Sequence, residues 1–192
     1  HASLAIWCGD NESTAFIECD TFMRNTVARY DLNDRRYQAC SNQGFLSGSG
    51  LWTNFDPKQY FSGGTNFTSS TWGLRSEIGA GVFTTFESFK EFMPQANWWP
   101  RNDMWDKHFF GPSGAAAGPD NYMNSVNNRY GTATGIQDFC RKAQLLNIET
   151  HKAMFEGWMD NIWNDASGIL YWMSQSAYPS LIWQTYDYYY DC

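Results

Sequence analysis

The first apolar run covers residues 4–7, continues into Cys8 and stops at Gly9. A short unbroken apolar run closed by a turn residue predicts a buried strand over 4–8. Over 13–29, Phe16, Ile17, Phe22, Met23 and Val27 recur at helical spacing and predict a helix. "RRYQACS", 35–41, reads as a short second strand, and 42–71, rich in Gly, Ser, Asn and Thr, as a long loop. "TWGLRSE", 71–77, reads as another strand that ends in a carboxylate. Residues 85–93 form a short helix stopped by Pro94. A second irregular region, 94–134, holds "WWP", "MWDKHFFG" and the flexible "GPSGAAAGPDN". From 136 to 163 apolar residues fall at 136, 139, 140, 143, 146, 153, 154, 158 and 162, one face of a long helix. Thr134 is a candidate cap, and Asp138 sits in the first turn, where a carboxylate suits the helix dipole. A turn at 165–168 leads into a last apolar strand, 168–179, broken by Pro179.

Strands that alternate with helices predict an α/β fold with a parallel sheet and helical crossovers. In such folds function sits beyond the C-terminal ends of the strands. Three strand ends carry polar or aromatic residues: Asn11 with Glu12, Ser76 with Glu77, and the stretch 172–176.

Composition narrows the chemistry. The 192 residues are 43% hydrophobic and 18% aromatic, with 10 Trp, 11 Tyr and 14 Phe. That is enough apolar surface for one packed domain, so disorder is excluded. A net charge of −7 with no basic stripe disfavours nucleic acid. No apolar run approaches the roughly 20 residues that span a membrane. Many aromatics, many carboxylates and few cations suit a neutral, hydroxyl-rich ligand such as a sugar, although aromatics also simply fill cores. Cys8, Cys19, Cys40, Cys140 and Cys192 form no Cys/His cluster, so neither a metal site nor a cofactor is expected. Cys8 and Cys140 lie in apolar patterns and are expected to be buried free thiols. The redox compartment stays open, a secreted or periplasmic full-length protein being one option.

Glycoside hydrolysis uses two carboxyl groups that flank the bond, about 5 to 5.5 Å apart where configuration is retained. Spacing alone picks no pair from 20 acidic residues. The motifs around Glu12 and Glu77 do. "HASLAIWCGDNE" resembles the strand-4 motif of glycoside hydrolase family 2, and "GLRSEIGAGVFTTFESFKEFMP" its strand-7 nucleophile segment. "MWDKHFF", "YGTATGIQDFCRKAQLLNIETHKAMFEGWMDNIW" and "SGILYWMSQSAYPSLIWQTYDYY" resemble the downstream part of one branch. That branch holds exo-β-D-glucosaminidases, β-mannosidases and mannosylglycoprotein endo-β-mannosidases.

The resemblance implies a partial (β/α)8 TIM barrel, roughly strand 4 to strand 8, with residues 1–192 as the C-terminal part of a glycoside hydrolase catalytic barrel. It implies Glu12 as general acid/base, Glu77 as nucleophile and Asn11 as the amide that binds the sugar C2 substituent. It implies Trp172 as an aromatic floor for the sugar. Trp105 and His108 are further candidates for lining the pocket, and Arg75 either pairs with a catalytic carboxylate or points away. Ala2 stands where the family has Pro, and Tyr178 where a Trp often precedes Pro. The stretch between Glu12 and Glu77 is short for two complete strand–helix units, so these are expected to be short or degenerate.

The glucosaminidase members tend to carry Ser-Asp where this chain keeps Asn11-Glu12, which leans towards a 2-hydroxyl sugar. The expected activity is therefore a retaining β-glycosidase for terminal β-mannoside or β-glucosaminide sugars. Alternatives are an exo-β-D-glucosaminidase acting on chitosan-type oligosaccharides and a degenerate half-barrel that only binds sugar. A barrel of this kind takes about 250 residues. The chain thus reads as a piece of something longer, without the N-terminal barrel half and the flanking β-sandwich domains. By itself it is expected to be poorly stable and inactive, because open sheet edges and apolar surface remain uncovered.

Overall fold

The computed structural model describes residues 3–31, 35–48, 50–62, 73–111, 118–164, 166–181 and 183–191. In chain order the elements are β1 (Ile6–Asp10), α1 (Ile17–Tyr30), β2 (Arg36–Cys40), α2 (Gln59–Ser62), β3 (Gly73–Ile78), α3 (Phe86–Phe92), a 3-10 turn (Gln95–Asn97), α4 (Asp103–Lys107), α5 (Pro119–Tyr130), α6 (Ile136–Asp160) and β4 (Ala166–Tyr171). The strands pair in parallel, β1 with β2 and β3 with β4. This is the α/β arrangement expected from the alternation of elements.

The first half of the supposed long loop contributes to the sheet. Leu74 N–H donates to the Phe45 carbonyl, Ser47 N–H to Leu74, Gly50 N–H to Glu77, and Gly79 N–H to Leu51. These bonds form a parallel ladder that lays residues 45–48 and 50–51 along β3, with a bridge between Leu46 and Leu74. Gly- and Ser-rich sequence hid this strand-like segment, since its pairing uses backbone groups rather than an apolar face.

α6 follows its periodicity. Ile136, Phe139, Cys140, Ala143, Leu146, Ala153, Met154 and Trp158 are all buried. Its first half packs into an aromatic core with Phe83, Phe89, Trp105, Phe110 and Tyr122. Its second half closes a smaller cluster with Tyr60, Ile78, Ala80 and Ala166. Gly157 permits this approach, because a Cβ there would meet the Tyr60 carbonyl oxygen at 2.6 Å. The expected Thr134 cap runs the other way: Thr134 N–H and Oγ1 donate to the Asp138 carboxylate at 3.0 and 3.4 Å, and the cap position falls on Gly135.

Other expectations are corrected. The region 94–134 is not all irregular: α5 starts with Pro119 at its first turn, where the missing N–H costs nothing, and buries Tyr122 and Val126 one turn apart. The last strand ends at Tyr171 rather than 179. Trp172 N–H makes one further bond to Ile78, and Met173, Ser174 and Thr185 then bond within 173–186. β1 is not buried. Among the described residues it pairs with β2 on one side only, and Trp7 is 40% exposed. Cys8 is exposed for the same reason, whereas Cys140 is buried in α6. α1 also presents Phe16, Ile17, Phe22 and Tyr30 to solvent. No helix among the described residues is long and apolar enough to cross a membrane.

Candidate active site

Glu12 follows β1 and is exposed. Its backbone sits in the left-handed region, φ 54°. A non-glycine residue held there costs on the order of 1–2 kcal/mol, so something must hold it. Ser41, just beyond β2, does so. Its hydroxyl accepts the Glu12 N–H at 2.8 Å, and the Cys40 thiol donates to the Glu12 carbonyl at 3.6 Å. Ser41 also reaches β3, because its carbonyl accepts from Ser76 Oγ at 2.9 Å and from Gly48 N–H at 2.9 Å. One buried serine therefore ties the end of β1 to the residue beside Glu77.

Glu77 is half-buried near the end of β3. Burial pushes its carboxyl above the ordinary glutamate range, and the charge of Glu12 adds to the rise. The two carboxylates thus lie close enough to repel each other. β3 shifts register between Arg75 and Ile78. Arg75 packs against α6: its guanidinium lies 5.6 Å from the Trp158 ring centre. Burial draws that guanidinium down to about 10.

Trp172 follows β4 and is 41% exposed. It meets Trp52 and Trp183 edge-on, with ring centres 6.0 and 5.7 Å away, and those two lie 5.2 Å apart. Gly79 makes room for this group, since a Cβ there would strike the Trp172 carbonyl oxygen and crowd Trp52. Asn11 is exposed beside Glu12, with its N–H bound to Asp10 Oδ1 at 2.8 Å.

The strand ends therefore bring Glu12 near Glu77, with Asn11 next to the first, while Trp172 follows β4 and its N–H bonds the Ile78 carbonyl at the end of β3. Trp105 does not join them. It is fully buried in the aromatic core, 5.3 Å from Phe83, and its Nε1–H donates to the Asn97 carbonyl at 2.8 Å. His108 holds the segment after β4: Nδ1 lies 2.6 Å from the Pro179 carbonyl, and its own carbonyl accepts from Leu181 N–H. Sequence reasoning missed Ser41, Trp52 and Trp183. A polar residue closing a strand was the available signal for Ser41, as it was for Glu12 and Glu77. Among the described residues no group of three His, Cys, Asp or Glu side chains is placed to hold a metal.

Parallel strands with helical connections define an α/β protein, and Glu12 and Glu77 lie at the C-terminal ends of two of its strands. No protein-family model matches the chain. It is 35% identical over 130 residues to the exo-β-D-glucosaminidase of Hypocrea jecorina, which covers 62% of this chain and 14% of that enzyme. It is 26% identical over 236 residues to the mannosylglycoprotein endo-β-mannosidase of Lilium longiflorum, covering all of this chain and 24% of that enzyme. The exo-chitosanase CsxA of Amycolatopsis orientalis, solved with PNP-β-D-glucosamine, superposes over the whole chain and 24% of its own, with a TM-score of 0.82 and 21% identity. The chain is thus similar to exo-β-D-glucosaminidases and to a mannosylglycoprotein endo-β-mannosidase, and it spans a quarter or less of the length of these relatives.

Proposed function

We propose that this chain is the C-terminal part of a retaining β-glycosidase barrel. In this reading β1, β2, the stretch 45–51, β3 and β4 are barrel strands four to eight. The placement of Glu12 and Glu77 near each other at the C-terminal ends of β1 and β3 carries it, because double displacement needs two carboxyl groups that flank the bond. Glu12 gives its proton to the glycosidic oxygen while a Glu77 oxygen bonds to the anomeric carbon. The bond from that carbon to the leaving oxygen breaks, and the aglycone departs as an alcohol. Glu12 then takes a proton from water, whose oxygen displaces Glu77 and releases the sugar. Asn11 binds the C2 substituent, and Trp172 offers its open face to the ring. Trp105 is left out of the binding set because it has no exposed face.

The substrate is a terminal β-linked sugar of the β-mannoside or β-glucosaminide type, with Asn11-Glu12 favouring the mannoside. The exposed apolar residues of α1 and the open side of β1 are where the rest of the barrel packs, so activity belongs to the longer protein. The test is Glu77→Ala in the full-length protein, assayed on aryl β-mannoside and aryl β-glucosaminide. Turnover should vanish on both, and unchanged turnover would refute the assignment.

A further inference from the structure

Trp52 follows the segment that runs along β3 up to Leu51, so it too leaves a strand at its C-terminal end. Two glycines seat its indole over the end of β3. A Cβ at Gly50 would come within 2.8 Å of Trp52 Cδ1 and Nε1, and one at Gly79 within 3.2 Å of its Cζ3. One edge of the ring therefore lies against Gly50 and the opposite edge against Gly79. Both glycines are tied across to the neighbouring strand. Gly50 N–H donates to the Glu77 carbonyl at 3.2 Å, and Gly79 N–H to the Leu51 carbonyl at 3.0 Å. Trp172 and Trp183 meet the ring edge-on, at interplanar angles of 84° and 87°.

The indole lies on the face of β3 that Glu77 uses. Arg75 stacks on Trp158 of α6, and Ile78 packs in one buried cluster with Met154 and Trp158. Both therefore face α6, and the register of β3 shifts between them. Such a shift leaves Ser76 and Glu77 together on the side away from α6, where Ser76 Oγ reaches the Ser41 carbonyl. Gly79, two residues on from Glu77, faces the same way.

Glu77 is half-buried by this chain alone. Burial is the main cause of the rise of its carboxyl, and Glu12 is the titratable group whose charge adds to it. A large apolar ring beside a carboxylate strips hydration from it, and a poorly hydrated carboxylate sheds less water on attacking carbon. Resting on Glu77 as the nucleophile, we propose that Trp52 is a positioning residue for the reaction. Its indole closes the Gly79 side of the Glu77 carboxylate to water, so that the carboxylate meets the anomeric carbon already partly dehydrated.

The test is the pH profile of kcat/KM for the full-length protein on aryl β-mannoside and aryl β-glucosaminide. Trp52→Ala admits water beside Glu77. The acid limb, which follows the proton on Glu77, should then move to lower pH. On the plateau kcat should fall about tenfold, with KM changed about twofold or less. Trp52→Phe keeps an apolar ring and should hold the parent limb and restore most of the rate. An unmoved limb in Trp52→Ala overturns the proposal. So does a loss carried by KM alone, which would make Trp52 a sugar contact instead. If circular dichroism finds Trp52→Ala unfolded, Trp52→Gln, which keeps bulk but brings a polar amide, is read in its place. If the parent hydrolyses neither glycoside, the hydrolytic reading fails and Trp52 is tested without turnover. NMR of carboxyl-labelled glutamate then follows the Glu77 titration, assigned by its loss in Glu77→Gln. A lower midpoint in Trp52→Ala supports the shield, and an equal midpoint overturns it.

Discussion

Ser41 is the sharpest place to test how the site is built. Its hydroxyl accepts the Glu12 N–H at 2.8 Å, and Glu12 sits at φ 54°. Ser41→Ala removes that acceptor and leaves every backbone bond of residue 41 in place. A neutral hydrogen bond of this kind is worth about 1 kcal/mol, comparable to the on the order of 1–2 kcal/mol cost of a left-handed non-glycine residue. With the anchor gone, Glu12 has reason to relax towards ordinary backbone angles and carry its carboxyl away from Glu77. A loss of about 1 kcal/mol in the population of the competent geometry lowers kcat roughly fivefold, given about 1.4 kcal/mol for each factor of ten. In the proposed reading the sugar rests on Trp172, to which Ser41 makes no hydrogen bond, so KM should change little. The assay is steady-state hydrolysis of an aryl β-glycoside by the full-length protein, with circular-dichroism melts to confirm folding. Ser41→Thr keeps the hydroxyl and should restore much of the rate. Equal kcat in the Ala variant and the parent would refute the idea that Ser41 holds Glu12 in place.

Two further outcomes follow from the same geometry. Because the Glu77 carboxyl is raised, the folded protein binds this proton more tightly than the unfolded chain. Stability should therefore fall as pH rises through the window from the ordinary glutamate pKa to the raised one, and Glu77→Gln should remove that fall. Urea midpoints measured on the acid side of the window and at neutral pH check the sign, and a parent protein that gains stability across it would contradict the assignment. Trp172→Ala removes two edge-on aromatic contacts of about 0.5–1.5 kcal/mol each and the proposed sugar floor. KM should rise by about tenfold or more in steady-state assays, with a lower melting temperature.

What the sequence disclosed depended on whether a side-chain pattern reported the contact. α6 was legible because its apolar period persists over six turns and meets core along most of that length. The strand-end positions of Glu12, Glu77 and Trp172 were legible because each follows or closes an apolar run. α5 was hidden by its asparagines and the Gly-Pro lead-in, which lack helix propensity, although Tyr122 and Val126 bury one turn apart. The exposure of β1 was beyond reach, since an apolar run tells nothing about how many neighbours cover it. Trp105 was misjudged for a related reason: an aromatic residue in an irregular region is the same letter whether it faces a pocket or fills the core.

The junction between β2 and the stretch 45–51 explains both the missed strand and the way the site is tied. Parallel neighbours normally need a crossover of a dozen or more residues. Here residues 42–44 make the whole connection, with Gly44 at φ 63° in the turn. The register allows it, because Ser41 lies level with Gly48 and Ser76 while Phe45 lies level with Leu74. The chain descends only a short way before it rises again. The shortened turn then acquires a role of its own. Gln43 Nε2 donates to Thr14 Oγ1 at 3.0 Å, just after Glu12, while Ser41 reaches both Glu12 and Ser76. Two residues of one turn, Ser41 and Gln43, thus help to set the relative placement of the two carboxylates.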